Sequence, residues 1–309
     1  GCGFDCARQL LAAIKDGKIT EKEVDERVDE LLQAALSLPK QSREKKKELE
    51  KQKEELHRSH HRLAQKAAEE SMVLLKNEAE ILPLTAGTRV AVIGDFAFEP
   101  RYQGVGSSSV NAISVENVVE KISDTDLMVV GMERGYRRDG KADYNLEAQA
   151  LELASKAEVI LYFLGLGETE ESEGLDRKNF EIPQNQISLL QKLTEKNPAI
   201  VAVLSTGSVV DIGWKIDCRA ILHTGLSGEA GAGAVLNVLT GKVNPGGKLT
   251  ESWICHYDDT PSAFVYPAKE RTLPYGEGIY VGYRYFEKEQ IPVSFPFGFG
   301  LSYTTFTYS

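Results

Sequence analysis

The chain has 309 residues, 42% hydrophobic and 27% charged, with a formal net charge of -10. That length accommodates two ordinary domains or one large one. The negative balance argues against nucleic acid, whose phosphates are held by surplus Lys and Arg, and no apolar run reaches the eighteen or so residues of a membrane span. A sugar, or a neutral or cationic small molecule, suits such a protein better.

The chain opens without a signal-peptide pattern. Its four cysteines, Cys2, Cys6, Cys218 and Cys255, lack metal-ligand spacing and fit a reducing, cytoplasmic setting slightly better than an oxidising one. Residues 7–37 carry apolar residues at helical spacing in two segments, ARQLLAAIKDGKI and TEKEVDERVDELLQAAL. Thr20 reads as the N-cap of the second, with Glu23 at the capping-box position. Gly17 marks the turn between them, and Pro39 is expected to end the second helix, which puts a domain boundary near residue 40. The following stretch, SREKKKELEKQKEELHRSHHRLAQKAAEESMVLLKN, is nearly pure charge at first and gains apolar residues from Leu63 onward. Glu and Lys four apart favour a solvated connector helix there, over 41–75. His57, His60 and His61 have the helical spacing of a metal pair, but among so many charges they read as a solvated face.

From residue 88 short apolar runs alternate with amphipathic segments. TRVAVIGD, DLMVVG, EVILYFLGLG, AIVAVLSTG and AILHTG read as buried strands. NLEAQALELASKA, QNQISLLQKLTEKN and GEAGAGAVLNVLTG read as helices. This alternation predicts an α/β fold, a mostly parallel sheet with helices on both faces. In such sheets ligands bind beyond the carboxyl ends of the strands. The loops after Gly94, Gly131, Gly165 and Gly207 are therefore the expected functional edge, with 94–109 and 165–176 side by side. After residue 250 the pattern turns irregular and aromatic. The closing TTFTYS alternates like the first strand of a further element, so the chain is expected to stop inside a longer protein.

Two of these loops carry candidate chemistry. The segment GLGETEESEGLDRKNFEIP puts Glu168, Glu170, Glu171, Glu173 and Asp176 within nine residues, with Arg177 next. An acidic loop in an acidic protein is ordinarily just solvated. Here it follows a buried strand, and Glu173 lies between Ser172 and Gly174, where the backbone can turn sharply. Neighbouring carboxylates and partial burial are expected to raise its pKa, as a general acid near neutral pH requires. The segment DFAFEPRYQGVGSSSVNA brackets a tight loop with Gly104 and Gly106. Arg101, Tyr102, Gln103, Ser107, Ser108 and Asn111 supply donors suited to hydroxyl-rich ligands. It has neither a Walker lysine nor the Rossmann glycine pattern. The glycines of GLSGEAGAGAVLNVLTG fit close helix–strand packing better than a phosphate site.

These blocks together resemble glycoside hydrolase family 3, the family of many β-glucosidases. HHRLAQKAAEESMVLLKNEAEILPL is similar to the start of the family's second domain, followed in order by VAVIGDFAFEPRYQGVGSSSVNA. ETEESEGLDRKNFEIPQNQISLL is similar to its acid/base loop. GEAGAGAVLNVLTGKVNPGGKLTESW, YGEGIYVGYRYF and FPFGFGLSYTTFTYS complete the resemblance. It implies an α/β sandwich over 76–295. Residues 1–40 correspond to the tail of a preceding barrel domain, and 296–309 to the entry into a fibronectin type III-like domain. It further implies Glu173 as general acid/base, with Arg101, Ser107 and Ser108 toward the substrate, a β-glucoside or oligosaccharide. Asp176 and Arg177 are expected to shape the loop. No cofactor and no metal are called for. The missing barrel, which in the family supplies the aspartate nucleophile, is the principal partner, and self-association is left open. Two other readings remain: a non-catalytic carbohydrate-binding or interaction module on the same fold, and, on fold analogy alone, a nucleotide-binding doubly wound sheet.

Overall fold

A computed structural model describes residues 4–268, 270–305 and 307. The chain divides into two compact units, 1–60 and 61–309. In the first, helix α1 (Phe4–Lys15) turns through Gly17 (φ +68°) into the long helix α2 (Glu21–Ser71). The predicted capping box forms: the Thr20 amide donates to Glu23 Oε2 (2.8 Å), and the Glu23 amide donates to Thr20 Oγ1 (3.3 Å). The helix does not stop at Pro39. Strong helix formers on both sides outweigh the one backbone hydrogen bond that proline removes, and a single helix of 51 residues results.

In the second unit, β1 (Val73–Asn77) follows α2 directly. Next come β2 (Arg89–Ile93), the one-turn helices α3 (Asp95–Phe98) and α4 (Val118–Lys121), and β3 (Met128–Glu133). Helix α5 (Tyr144–Ala154), β4 (Val159–Gly165), α6 (Gln184–Lys196), β5 (Ile200–Ser205), β6 (Ala220–His223) and α7 (Gly231–Leu239) continue the alternation. Beyond them lie β7 (Trp253–Ile254), α8 (Tyr283–Glu289) and β8 (Val293–Phe295).

The main sheet has the order β1-β6-β5-β4-β2-β3. All five predicted strands pair in parallel. The sixth, β1, was read as part of the preceding helical stretch. Its short run VLLKN is claimed instead by antiparallel pairing with β6 at the sheet edge, a case of tertiary pairing overriding local pattern. Strand β4 is buried along its whole length, as a central parallel strand covered on both faces must be. The aromatic end of the chain adds a two-stranded antiparallel pair, β7 with β8, around the buried Trp253. The final TTFTYS, expected to begin another element, lies partly outside the described residues.

Candidate active site

The parallel order places the loops after β2, β4 and β5 at one edge, with that of β4 between the other two. Gly94 ends β2 at φ +124°, where a Cβ would sit 2.0 Å from the carbonyl oxygen of Phe163 on β4. Only glycine lets the two strand ends approach this closely. The exit of β4 is pinned from α6. The buried Gln186 donates Nε2 to the Gly165 carbonyl (3.0 Å) and accepts from the Gly165 amide through Oε1 (2.9 Å). Its own carbonyl accepts from the Tyr162 hydroxyl (2.7 Å). The acidic loop therefore leaves the sheet at a fixed point.

Most of the crowded carboxylates then find separate partners. Glu168 pairs with Arg138 (3.2 Å), which also reaches Asp95 beyond β2 (2.8 Å). Glu170, half-buried, lines a cavity of about 250 Å³ with Leu166, Asp176, Arg177 and Asn179. The Glu171 carboxylate accepts from the Gly207 amide (2.9 Å to Oε2) and from the Ser208 hydroxyl, both in the loop after β5. Arg177 Nη1 meets the same loop, donating to Ser208 Oγ (2.7 Å) and the Val209 carbonyl (2.9 Å). Asp176 interacts with the Tyr266 hydroxyl.

Glu173 differs from all of these. It is exposed, and its Oε2 accepts from the main-chain amide of Ser107 (3.0 Å). The two predicted loops thus meet at this carboxylate. The contact depends on Gly106, whose φ is +82° and where a Cβ would lie 3.0 Å from Glu173 Oε2 and 3.2 Å from its Cβ.

The expected rise in the Glu173 pKa is not found. Hydrogen bonding to Ser107 holds the carboxyl below its ordinary value, against a weaker opposing effect of desolvation. The reason is geometric. Glu168, Glu171 and Asp176 are turned toward their own partners, and Glu173 is exposed to water, so hydrogen bonding to the anion decides the direction.

The structure separates the other candidates. Arg101 is buried and faces inward. Nη1 donates to the carbonyls of Leu166 (2.8 Å) and Gly167 (2.7 Å), Nη2 to that of Glu171 (3.0 Å), and Nε to that of Gln103 (3.2 Å). It holds the acidic loop from beneath. Gln103 closes its own loop, exchanging hydrogen bonds with the backbone of Val110. Ser107 lies at Glu173, while Ser108 turns its hydroxyl back to the Val105 carbonyl (3.5 Å). Gln186 and Ser208 were not picked out from the sequence, and nothing short of their spatial neighbours marks them. His61 also departs from the expected solvated face. Its Nδ1 lies 2.9 Å from Glu229 Oε1 and its Nε2 3.1 Å from Glu116 Oε1.

The family model described as "Glycosyl hydrolase family 3 C-terminal domain" matches residues 72–303. Among curated proteins, "Thermostable beta-glucosidase B" of Acetivibrio thermocellus is 38% identical over 308 residues, covering 98% of this chain and 40% of the relative. "Exo-alpha-(1->6)-L-arabinopyranosidase" of Bifidobacterium breve is 37% identical over 315 residues, covering 96% of this chain and 40% of the relative. Among solved structures, a GH3 β-glucosidase of Bifidobacterium adolescentis superposes with a TM-score of 0.77 at 37% identity, over 98% of this chain and 44% of that one. The chain thus spans about 40% of the length of these curated relatives.

Proposed function

The chain belongs to glycosyl hydrolase family 3, and on that premise we propose that it is the part of a retaining β-glycosidase that supplies the general acid/base, Glu173. One observation carries the reading. In a loop where Glu168 pairs with Arg138 and Glu171 lies against Arg101 and the loop after β5, Glu173 stands exposed at the carboxyl edge of the sheet, with Ser107 of the neighbouring loop as its hydrogen-bond partner.

In the proposed reaction Glu173 first protonates the leaving oxygen as the glycosidic bond breaks. A second carboxylate takes the sugar and forms a glycosyl-enzyme. Glu173, now ionised, removes a proton from the water that releases the sugar. Retention calls for the two carboxyls roughly 5–5.5 Å apart. By the family resemblance the second one belongs to a barrel domain outside this chain, so the chain alone is expected to hydrolyse aryl β-glucosides no faster than buffer. The depressed pKa of Glu173 suits the base step. Enclosure by the barrel removes water from the carboxyl and lifts it toward the value that the acid step needs. Residues 1–40 as the barrel's tail and 296–309 as the entry to a fibronectin-like domain belong to the same proposal.

The substrate class is a terminal glycoside, with a β-glucoside as the leading reading. The arabinopyranosidase is nearly as similar to this chain as the β-glucosidase is, which favours an α-L-arabinopyranoside as the second. In this reading Ser107 orients Glu173 through its amide and Arg101 positions the loop from below. Ser108, at the rim, is the remaining candidate for substrate contact.

The test is Glu173→Ala in the longer protein that carries the barrel. Cleavage of a substrate with a poor leaving group, such as cellobiose, falls about 10²–10⁴-fold. Glycosylation by an activated aryl glycoside is largely spared, a burst appears as the glycosyl-enzyme accumulates, and azide speeds its release. Equal losses on both substrates without azide rescue defeat the assignment. Glycan binding without turnover, with the barrel present, favours the non-catalytic module.

A further inference from the structure

We propose that Glu171 is the positioning residue of this site: its largely enclosed carboxylate knots the acidic loop to the loops after β2 and β5, and so fixes where Glu173 is presented. The inference rests on the reading of Glu173 as acid/base and extends it to a residue with no proton-transfer role.

Glu171 and Glu173 are two residues apart and have opposite surroundings. The Glu171 side chain is 11% exposed and lies against the Arg101 guanidinium, 1% exposed, at 3.7 Å. Its oxygens accept from the Gly207 amide at 3.2 and 2.9 Å, and Oε1 also accepts from the Ser208 hydroxyl. The main-chain carbonyl of the same residue accepts from Arg101 Nη2 at 3.0 Å. Residue 171 is therefore held through both its backbone and its side chain, by groups from the loops after two flanking strands. Arg101 meanwhile grips Leu166 and Gly167, where the loop begins.

The consequence for Glu173 follows from chain geometry. Two residues of fully extended backbone span at most about 7 Å, so anchoring residue 171 confines the Cα of residue 173 to a small volume. The Ser107 amide then fixes the tip of its side chain. Without the knot, the segment between Gly165 and Pro183 has to hold Glu173 with far fewer restraints. A misplacement of about 1 Å can cost 10²-fold in rate. The Glu171 carboxylate is occupied by its donors, whereas that of Glu173 is exposed.

The experiment uses Glu171→Gln, which keeps the shape but turns an amide NH2 toward Gly207 or Arg101. In the barrel-containing protein, kcat on a poor-leaving-group glycoside is expected to fall about 10- to 100-fold, with a smaller fall on an activated aryl glycoside. In a Glu173→Ala background the same substitution is expected to add nothing, because it acts only through Glu173. In this chain alone, backbone hydrogen exchange across 165–183 is expected to speed up in Glu171→Gln. Ser208→Ala, which removes one donor and leaves the core intact, reports the same effects more weakly if Glu171→Gln fails to fold. Wild-type rates in Glu171→Gln, or an equal loss in both backgrounds, overturn the proposal. Unchanged exchange overturns it as well. If Glu173→Ala shows no leaving-group dependence, the acid/base reading fails, and the exchange result still decides whether Glu171 anchors the loop. A burst with azide rescue in Glu171→Gln but not in Glu173→Ala overturns both.

Discussion

The acidic loop 165–183 and the charged stretch of helix α2 are comparably dense in charge, and they use it differently. On the helix, two ion pairs among the described residues of the first unit are local and exposed: Arg27 with Glu30 at 3.0 Å and Arg58 with Glu55 at 3.5 Å, each three residues apart. In the loop the partners come from far along the chain. Glu168 meets Arg138, Glu173 meets Ser107 and Glu171 meets Gly207 and Ser208. Local pairs add a few tenths of a kcal/mol to one helix. Distant ones decide how three strand ends are joined. Charge density in a sequence therefore says little until topology shows which charges must cross between elements.

The sharpest way to break this comparison is Arg101→Met. The substitution keeps the stem and removes a buried guanidinium, leaving Glu171 and the carbonyls of Leu166 and Gly167 without their donor. Breaking a buried charge pair from one side typically costs about 3–5 kcal/mol. Urea unfolding of this chain is expected to show a loss of that order, with the loop 165–183 becoming sensitive to protease. A loss below about 1 kcal/mol, the scale of an exposed pair, would place Arg101 with the helix charges.

The loop geometry shows how far the sequence could be read. The five parallel strands, their order of appearance and the meeting of the two loops were legible, because apolar runs alternating with amphipathic segments leave little topological freedom. The proposal of Glu173 itself comes from the resemblance of ETEESEGLDRKNFEIPQNQISLL to the family's acid/base loop, not from periodicity. The burial of Arg101 was not: an arginine followed by Tyr, Gln and Gly looks like a ligand donor until the carbonyls above it are seen. The lowered pKa of Glu173 was hidden for the same reason. Like-charge crowding in sequence says nothing about side chains that turn toward different partners. Strand β1 was obscured because the short apolar run Met72–Leu75 fits a buried helix end as well as a strand.

His61 sharpens the comparison from within the charged helix, since it behaves like a loop residue. Its imidazole bridges Glu229 and Glu116, and Glu116 also accepts from the Gly233 amide in α7 (3.0 Å) and lies 3.7 Å from Lys121. Burial opposes protonation here, but the two carboxylates outweigh it and the His61 pKa is raised. With the folded value raised, the stabilisation is complete below the unfolded imidazole value of about 6.5 and is lost as pH rises through the folded one. His61→Gln is expected to cost about 1.5–3 kcal/mol at pH 6, the scale of charged hydrogen bonds. That cost is expected to shrink at pH 9. Thermal unfolding of both proteins across this range checks it, and a cost independent of pH would show that packing, not the imidazolium, makes the link.

The smallest expected effect belongs to Glu30→Gln on α2. Glu30 pairs only with Arg27 among the contacts described, both side chains are more than half exposed, and the two are three residues apart on one helix face. Exposed pairs of this type contribute about 0.3–0.5 kcal/mol, and salt weakens them further, since the screening length at 0.15 M is about 8 Å. Glutamine is itself a good helix former. Helix content by circular dichroism and the urea midpoint are therefore expected to stay within about 0.5 kcal/mol of the unsubstituted protein, with the residual difference shrinking in 1 M salt. A salt-insensitive loss larger than 1 kcal/mol would mean that Glu30 has a partner beyond its own helix. The contrast between charges that serve one element and charges that join several would then fail at this position.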